Sequence, residues 1–285
     1  MSNLIDYVDA ILELPSLKSL NIISNGFNTD KLLKDLEAIY SKCKAKEIHF
    51  SVSISLDGVG IIHDKVRGIL GAFKKTITTI DKIKENQGKY CDSFEIACTI
   101  TKHNIDYLME LDAFCKLKGY KVKYRLGVDI ERIDSNKNLS EYSILMDNKL
   151  MQTAKEFFHY KMTEAEDLYE KFRYFSLFYY LNSDKPKRLL GCMWKDEGIT
   201  LDSEGNIYYC AVRSKSIGNL RFHKGKEIFF NNIEYRNAIV ENYCNNCIHD
   251  YSGKPELSNV LEFLKFLYKE RFATKLYELK LRIEL

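Results

Sequence analysis

Four cysteines carry the sharpest chemical pattern in the chain: Cys192, Cys210, Cys244 and Cys247. Cys244-Asn245-Asn246-Cys247 is a Cys-x-x-Cys, a spacing that lets two thiolates face one ion or cluster. Cys192 and Cys210 flank Ile199–Tyr209, which reads as a β-hairpin with a Ser-Glu-Gly-Asn turn. A hairpin brings its flanking cysteines together. Four thiolates hold either a tetrahedral zinc ion or a 4Fe–4S cluster. The spacing alone does not choose between them. The remaining cysteines, Cys43, Cys91, Cys98 and Cys115, show no ligand spacing and read as small buried hydrophobes.

A second set of polar residues closes four apolar runs. They are Ser24-Asn25-Gly26, Ser55-Leu56-Asp57-Gly58, Thr99-Ile100-Thr101 and Arg125-Leu126-Gly127. In parallel α/β folds, ligands bind at the carboxyl ends of strands. Glycines there let backbone approach a ligand, and Ser, Asn and Asp hydrogen-bond a sugar or an amino-acid moiety. Ordinary turn chemistry explains the same dipeptides equally well. His63, near a helix start, reads as a capping or surface residue rather than a base. Asp57 with His63 has no positioned nucleophile, so no hydrolytic triad is supported. Phosphate-loop, nucleophile-elbow and His-Glu-x-x-His motifs are absent.

The elements that must position these residues follow from periodicity. A helix capped by Ser2 or Asn3 carries Leu4, Val8, Ile11 and Leu12 on one face. Strands are expected at 20–23, 48–56, 94–100 and 121–128, and helices at 29–43, 70–86 and 104–118, with Gly119 as a C-cap. Such alternation implies parallel strands joined by helical crossovers. Four strands cannot close a barrel, and both edges of such a sheet stay open. Strands are then missing upstream or come from another chain.

Residues 139–182 are helical and aromatic, a helical pair expected to pack on the sheet rather than a nucleic-acid stacking platform. Residues 190–252 are rich in cysteine, glycine and asparagine and form a small separate domain. A helix over 255–284 has Pro255 at its first position and an apolar stripe of Leu257, Val260, Leu261, Leu264, Leu267, Phe272, Leu276 and Leu279.

Composition bounds the function. The chain has 285 residues, 45% hydrophobic and 29% charged, which is ordinary globular composition. At roughly 100–200 residues per domain it is one large domain or two modest ones. Lys+Arg is 43 against Asp+Glu 40, too even for a dedicated nucleic-acid binder. No apolar run is long enough for a membrane span. A cytoplasmic location is expected, where eight cysteines are free thiols or ligands rather than disulfides.

Taken together, these segments resemble the radical S-adenosylmethionine (SAM, AdoMet) enzyme family. Ile22-Ile23-Ser24-Asn25-Gly26-Phe27 resembles its third strand. Ser53-Ile54-Ser55-Leu56-Asp57-Gly58 with His63-Asp64-Lys65-Val66-Arg67-Gly68 resembles the fourth, and Thr99-Ile100-Thr101-Lys102-His103-Asn104 the fifth. Cys192, then Gly205-Asn206-Ile207-Tyr208-Tyr209-Cys210, Ile217-Gly218-Asn219-Leu220 and Cys244-Asn245-Asn246-Cys247, resemble the front of the SPASM or twitch auxiliary-cluster domain of peptide and protein maturases. The resemblance tips the four cysteines toward one auxiliary 4Fe–4S cluster, with zinc as the alternative. It implies a SAM and substrate cavity lined by Ser24, Asn25, Ser55 and Asp57, with Ser55 on the ribose and Arg67 making an ionic contact at the rim.

The departures are as informative. The family's Cys-x3-Cys-x2-Cys loop, its Gly-Gly-Glu-Pro-like segment and the later SPASM cysteines are absent, and Gly253 stands six residues after Cys247. Ala211 stands where some members carry an acidic base directly after the second auxiliary cysteine. The expected organisation is an incomplete (β/α) barrel of about four parallel strands over 1–135 and a helical connection over 136–189. A small Cys-rich α+β domain over 190–252 and a C-terminal helix over 253–285 follow. The implied function is the C-terminal portion of a radical SAM maturase acting on a peptide or protein, unable to cleave SAM alone. SAM would bind only if the barrel is completed by a missing N-terminal part or a partner chain. The alternative is a non-catalytic degenerate module that binds a peptide or partner and keeps a structural metal site. Whether the chain is an enzyme stays open, and neither nucleic acid nor membrane is an expected partner.

Overall fold

The computed structural model describes residues 3–128, 130, 142–196, 198–249 and 253–283, with backbone alone for Asp196 and 271–283. The chain divides into two compact units, Met1–Gly127 and Val128–Leu285. The second holds together the helical pair, the cysteine-rich segment and the C-terminal helix.

In the first unit, helix α1 (Leu4–Leu12) precedes strand β1 (Ser19–Ser24), α2 (Thr29–Ala45), β2 (His49–Ser55), α3 (Ile61–Arg67), α4 (Ala72–Glu85) and α5 (Gln87–Tyr90). Strand β3 (Ser93–Ile100), a 3-10 turn (Ile105–Tyr107), α6 (Leu108–Lys118) and β4 (Val122–Leu126) complete it. The sheet order is β1-β2-β3-β4, parallel throughout. Ser24 pairs with Ile54, Ser55 with Ala97 and Thr99 with Arg125. All four carboxyl ends therefore reach one rim, as the alternation of elements predicts.

Burial follows strand position. Phe50, Val52 and Ile54 on β2, Ile96 and Ile100 on β3 and Tyr124 on β4 are buried, with Leu36 and Ile39 of α2 and Ile80 and Ile83 of α4. These strand residues alternate, so one face of the inner strands is apolar, while the other carries Ser51, Ser53 and Ser55 of β2 and Glu95, Ala97 and Thr99 of β3. Among the described residues strand β1 pairs only with β2, and its residues alternate between exposed and half-buried.

Caps explain most helix ends. The Asn28 side chain accepts from Lys31 N at 3.2 Å to start α2, and Gly119, at φ +64°, ends α6. Asn3 sits at the N-cap of α1 but its side chain makes no capping bond; Ser2 lies outside the described residues. Helix α3 is not foreseen by periodicity. At seven residues it is too short to show a stripe.

The second unit begins with α7 (Asn148–Glu164) and α8 (Leu168–Asn182), a hairpin of helices capped by Asp147 and Asp167. Residues 139–141 of the expected helical segment lie outside the described residues. Short elements follow: α9 (Met193–Asp196), an antiparallel sheet of β5 (Thr200–Leu201), β6 (Asn206–Tyr208) and β7 (Gly218–Asn219), then α10 (Gly225–Asn231), α11 (Ile233–Tyr243) and a 3-10 turn (Cys244–Asn246). Helix α12 (Leu257–Ile283) closes the unit.

The partner of the aromatic residues is α12, where the sequence predicts the sheet. Phe172 and Phe175 of α8 lie 5.2 and 5.1 Å from Phe263 of α12, and Phe175 lies 4.8 Å from Phe266. This contact selects the buried face of α12. Asn259 and Phe263 are buried, whereas Leu257, Leu261 and Leu264 of the expected stripe are exposed. The side chains of Phe272, Leu276 and Leu279 lie outside the described residues. Pro255 stands two residues before the first helical residue, not at it. No helix among the described residues is long and apolar enough to cross a membrane.

Core and edge should respond differently to truncation. Ile54→Ala, at a fully buried position on β2, is expected to lower unfolding free energy by about 2–5 kcal/mol. Ile23→Ala, on the exposed side of β1, is expected to cost under about 0.5 kcal/mol. Urea titration of the two variants measures both; equal losses would contradict the assignment of β1 as an edge.

Candidate functional site

The rim of the parallel sheet is organised around Asp57, just past the end of β2 and 2% exposed. Four of its polar groups are engaged. Oδ1 accepts from Thr99 N at 2.9 Å, and Oδ2 pairs with Arg67 Nη2 at 2.6 Å. Its carbonyl accepts from Asn104 Nδ2 at 2.8 Å, and its N–H donates to His63 Nδ1 at 3.1 Å. Asn104 also donates to Thr99 O at 3.0 Å and accepts from Thr101 N at 2.7 Å. Burial pushes the Asp57 pKa up, while Arg67, the Thr99 N–H and Arg125 pull the other way.

His63 is fully buried, not a surface cap. Because Nδ1 accepts the Asp57 N–H, Nε2 carries the proton and faces Thr76 Oγ1 at 3.4 Å. Thr76 Oγ1 in turn donates to Asn25 O at 3.0 Å. Burial, then the Arg67 charge, lowers the His63 pKa to about 4, so the ring is neutral at pH 7. Next to it, Asp64 accepts from Gly71 N and Phe73 N at 2.6 and 2.7 Å and secures the start of α4. The His-Asp pair is thus a brace that joins the end of β2 to the β1 loop and to α4.

The other expected rim residues divide. Ser24 Oγ accepts from Gly26 N at 3.2 Å and Asn25 Oδ1 from Phe27 N at 3.1 Å, which is turn chemistry. Gly26 is required there. Its φ is +71°, and a Cβ would stand 3.1 Å from Ile54 Cγ2. Ser55 is half-buried beside Ala97 at the end of β2. Arg67 and Arg125 each keep a buried Nε–H with no hydrogen-bond partner. Arg125 and Asn104 belong to segments that the sequence brings to the rim, but their tie to Asp57 depends on loop geometry that the sequence does not display.

In the second unit, Cys192, Cys210, Cys244 and Cys247 line one cavity of about 220 Å³. The sequence-predicted hairpin is present as β5–β6, with Gly205 at φ +88° in its turn. Asp202 anchors that turn. The Asn206 side chain and backbone and the Tyr208 hydroxyl hold its carboxyl down at about 2. Asn219 of β7 bonds Glu204 O and Asn206 Oδ1 at 3.1 and 2.9 Å. Cys210 leaves this sheet, and its Sγ accepts the Arg213 N–H at 3.1 Å. Cys244 and Cys247 sit three apart about a 3-10 turn, with Cys247 N donating to Cys244 O.

Two glycines bring the Cys192 segment in. A Cβ on Gly253 would stand 2.6 Å from Cys192 N, and one on Gly191 would stand 2.2 Å from Lys254 O, so only bare backbone fits. Burial raises the Cys244 pKa to about 11, and the neighbouring Cys192, Cys247 and Cys210 add to it. Burial also raises that of Cys247. No group of three or more His, Cys, Asp or Glu among the described residues is arranged around a single metal ion. Cys43, Cys91, Cys98 and Cys115 are buried in the first unit, as expected of small hydrophobes.

No protein-family model and no curated protein sequence matches the chain. Solved structures do. Native anSMEcpe with bound AdoMet and Kp18Cys peptide matches with TM-score 0.51 at 19% identity, over 79% of this chain and 62% of that one. Histidine-tagged anSMEcpe with bound AdoMet gives 0.52 at 17%, over 89% and 70%. Native anSMEcpe with bound AdoMet and Cp18Cys peptide gives 0.50 at 16%, over 89% and 75%. The chain thus spans less than two thirds of the first of these structures. At such identities the likeness shows the fold alone.

The buried His63 gives the first unit a defined acid sensitivity. Its folded pKa of about 4 lies below the ordinary value near 6.5, so the folded state binds fewer protons. Its share of stability is complete above about pH 6.5 and is lost as pH falls toward 4, by roughly 3 kcal/mol in all. His63→Asn keeps an acceptor for the Asp57 N–H and should flatten that part of the profile. Urea titrations from pH 7 to pH 4 compare the two proteins; identical slopes would contradict a neutral buried imidazole.

Proposed function

We propose that the chain is a radical-SAM-like, SPASM-type protein acting on a peptide or protein, and that its second unit holds one 4Fe–4S cluster. Cys192, Cys210, Cys244 and Cys247 are its ligands in this reading. One observation carries it: four thiols from three separate segments line a single cavity. The cavity, about 220 Å³, leaves room for such a cluster.

The lining agrees in charge. Arg188, Lys195, Arg213, Arg236 and Lys254 line the cavity with one acid, Glu256, which suits an anionic cluster bound by four thiolates. When bound, such a cluster supplies one-electron redox capacity. The chain's own residues hold the thiolates, donate the Arg213 N–H to Cys210 Sγ, and place Trp194, Tyr209 and Tyr243 in the wall.

In the same reading Ser24, Asn25, Ser55, Asp57 and Arg67 frame an AdoMet-facing rim. Ser55 serves a ribose hydroxyl. Arg67 and Arg125 offer their free Nε–H groups to a carboxylate, and Asp57 holds Arg67 in place. The residues present do not fit the iron that cleaves AdoMet. The 285 residues contain no Cys-x3-Cys-x2-Cys, and the first unit's four cysteines are buried. No cleavage step is therefore assigned to this chain by itself. That anSMEcpe structures hold peptides supports a peptide as the substrate class. The edge of β1, unpaired among the described residues, favours a second reading, a non-catalytic module that adds a peptide or a partner's strand to its sheet.

Metal and sulfide analysis of the chain purified without oxygen tests the first reading. The expected result is a brown protein with about four irons and four sulfides per chain. Cys247→Ser should lose the colour, and Cys43→Ser should keep it. One zinc per chain and no iron would replace the cluster by a structural clip. With AdoMet and a reductant, no 5′-deoxyadenosine should form; its formation would overturn the assignment of an inactive chain.

A further inference from the structure

Arg188 stands four residues before the first cavity cysteine, and its guanidinium donates to four backbone carbonyls. Nε donates to Leu190 O at 2.8 Å and Nη2 to Gly191 O at 3.0 Å. Nη1 donates to Cys247 O at 3.2 Å and to His249 O. Its own N–H donates to Asn245 O at 2.7 Å, inside the Cys-x-x-Cys. One side chain therefore spans two segments far apart in sequence: the residues leading into Cys192 and those around Cys247. Arg188 also lines the cavity itself.

We propose that Arg188 is the positioning residue of the four-cysteine centre: its fork of donors fixes Cys192 against the Cys244–Cys247 pair and sets a positive charge beside them. This rests on the reading of the four cysteines as one ligand set. The chemistry favours arginine specifically. A guanidinium offers five N–H donors in a rigid plane, so it bridges several carbonyls at once while keeping its charge. Lysine would keep the charge but could not span the same carbonyls. Tyr180 plays a lesser part, its hydroxyl donating to Asn246 O at 2.9 Å.

The experiment compares wild type, Arg188→Lys and Arg188→Gln in the full chain, with far-UV circular dichroism confirming the fold. After anaerobic iron–sulfur loading, both variants should retain iron about ten-fold less firmly against a chelator. The reduction potential should separate them. Arg188→Gln, having lost a positive charge, shifts to a more negative value, while Arg188→Lys stays near wild type. A residue that merely supported the fold would not divide the two variants this way. In metal-free protein, a short bifunctional thiol reagent should link Cys192 to Cys247 several-fold more slowly in both variants, as mapped by mass spectrometry. If Arg188→Gln does not fold, Arg188→Lys carries the retention and linking tests. Wild type that takes up no iron would sink the cluster reading, and the linking rate would still decide the role of Arg188. A loaded wild type with variants unchanged in iron retention, potential and linking would overturn the proposal and leave the cluster reading intact.

Discussion

A carboxylate buried at the end of a parallel strand is the constraint on which the first unit turns. Asp57 has left water, and a buried charge is tolerated only when its oxygens are paired and hydrogen-bonded. Arg67 and the Thr99 N–H meet that demand, and each comes from a different element. The same residue's backbone is held by His63 and Asn104. Positions of α3, the end of β3 and the loop after it are therefore coupled through one residue.

How much of this is legible in the sequence depends on where the partners lie. The strands, the α2 cap and Gly119 follow from local pattern, because strand burial and capping are decided within a few residues. Asp57 and Arg67 are recognisable as rim residues, but their mutual ion pair is not, since it needs α3 to fold back over the end of β2. His63 misleads for the same reason. A histidine in a polar stretch reads as surface, and only the packing of α3 against α4 takes it out of water. The stripe of α12 shows the reverse error. Its leucines read as the packing face, yet the aromatic residues of α8 select Phe263 and Phe266 instead.

The cysteine cavity is legible where spacing encodes geometry. Three residues about a helical turn place Cys244 and Cys247 on one side, and a hairpin returns the chain toward Cys192. The frame around them is not. Arg188 bonds carbonyl oxygens, which every residue has, so its partners leave no trace in the sequence. Gly253, six residues after Cys247, matters for what it lacks: its bare backbone lets Cys192 N pass within contact.

The two regions differ in how their polar groups are settled, and that difference bears on function. At the rim, Arg67 and Arg125 keep buried Nε–H groups without partners. Each such group costs on the order of 1–3 kcal/mol, and folded proteins rarely leave one without a reason. Both lie beside Asp57, at the strand ends where open α/β sheets take their ligands. Around the cysteines the imbalance is of the opposite kind. There Arg188 donates to four carbonyls, while burial first and the neighbouring thiols after it oppose ionisation of Cys244. One region thus holds buried donors short of acceptors, and the other holds half-buried thiols gathered in one cavity. An anionic carboxylate answers the first and a metal centre the second, which is why the proposed reading assigns the two ligands to different units.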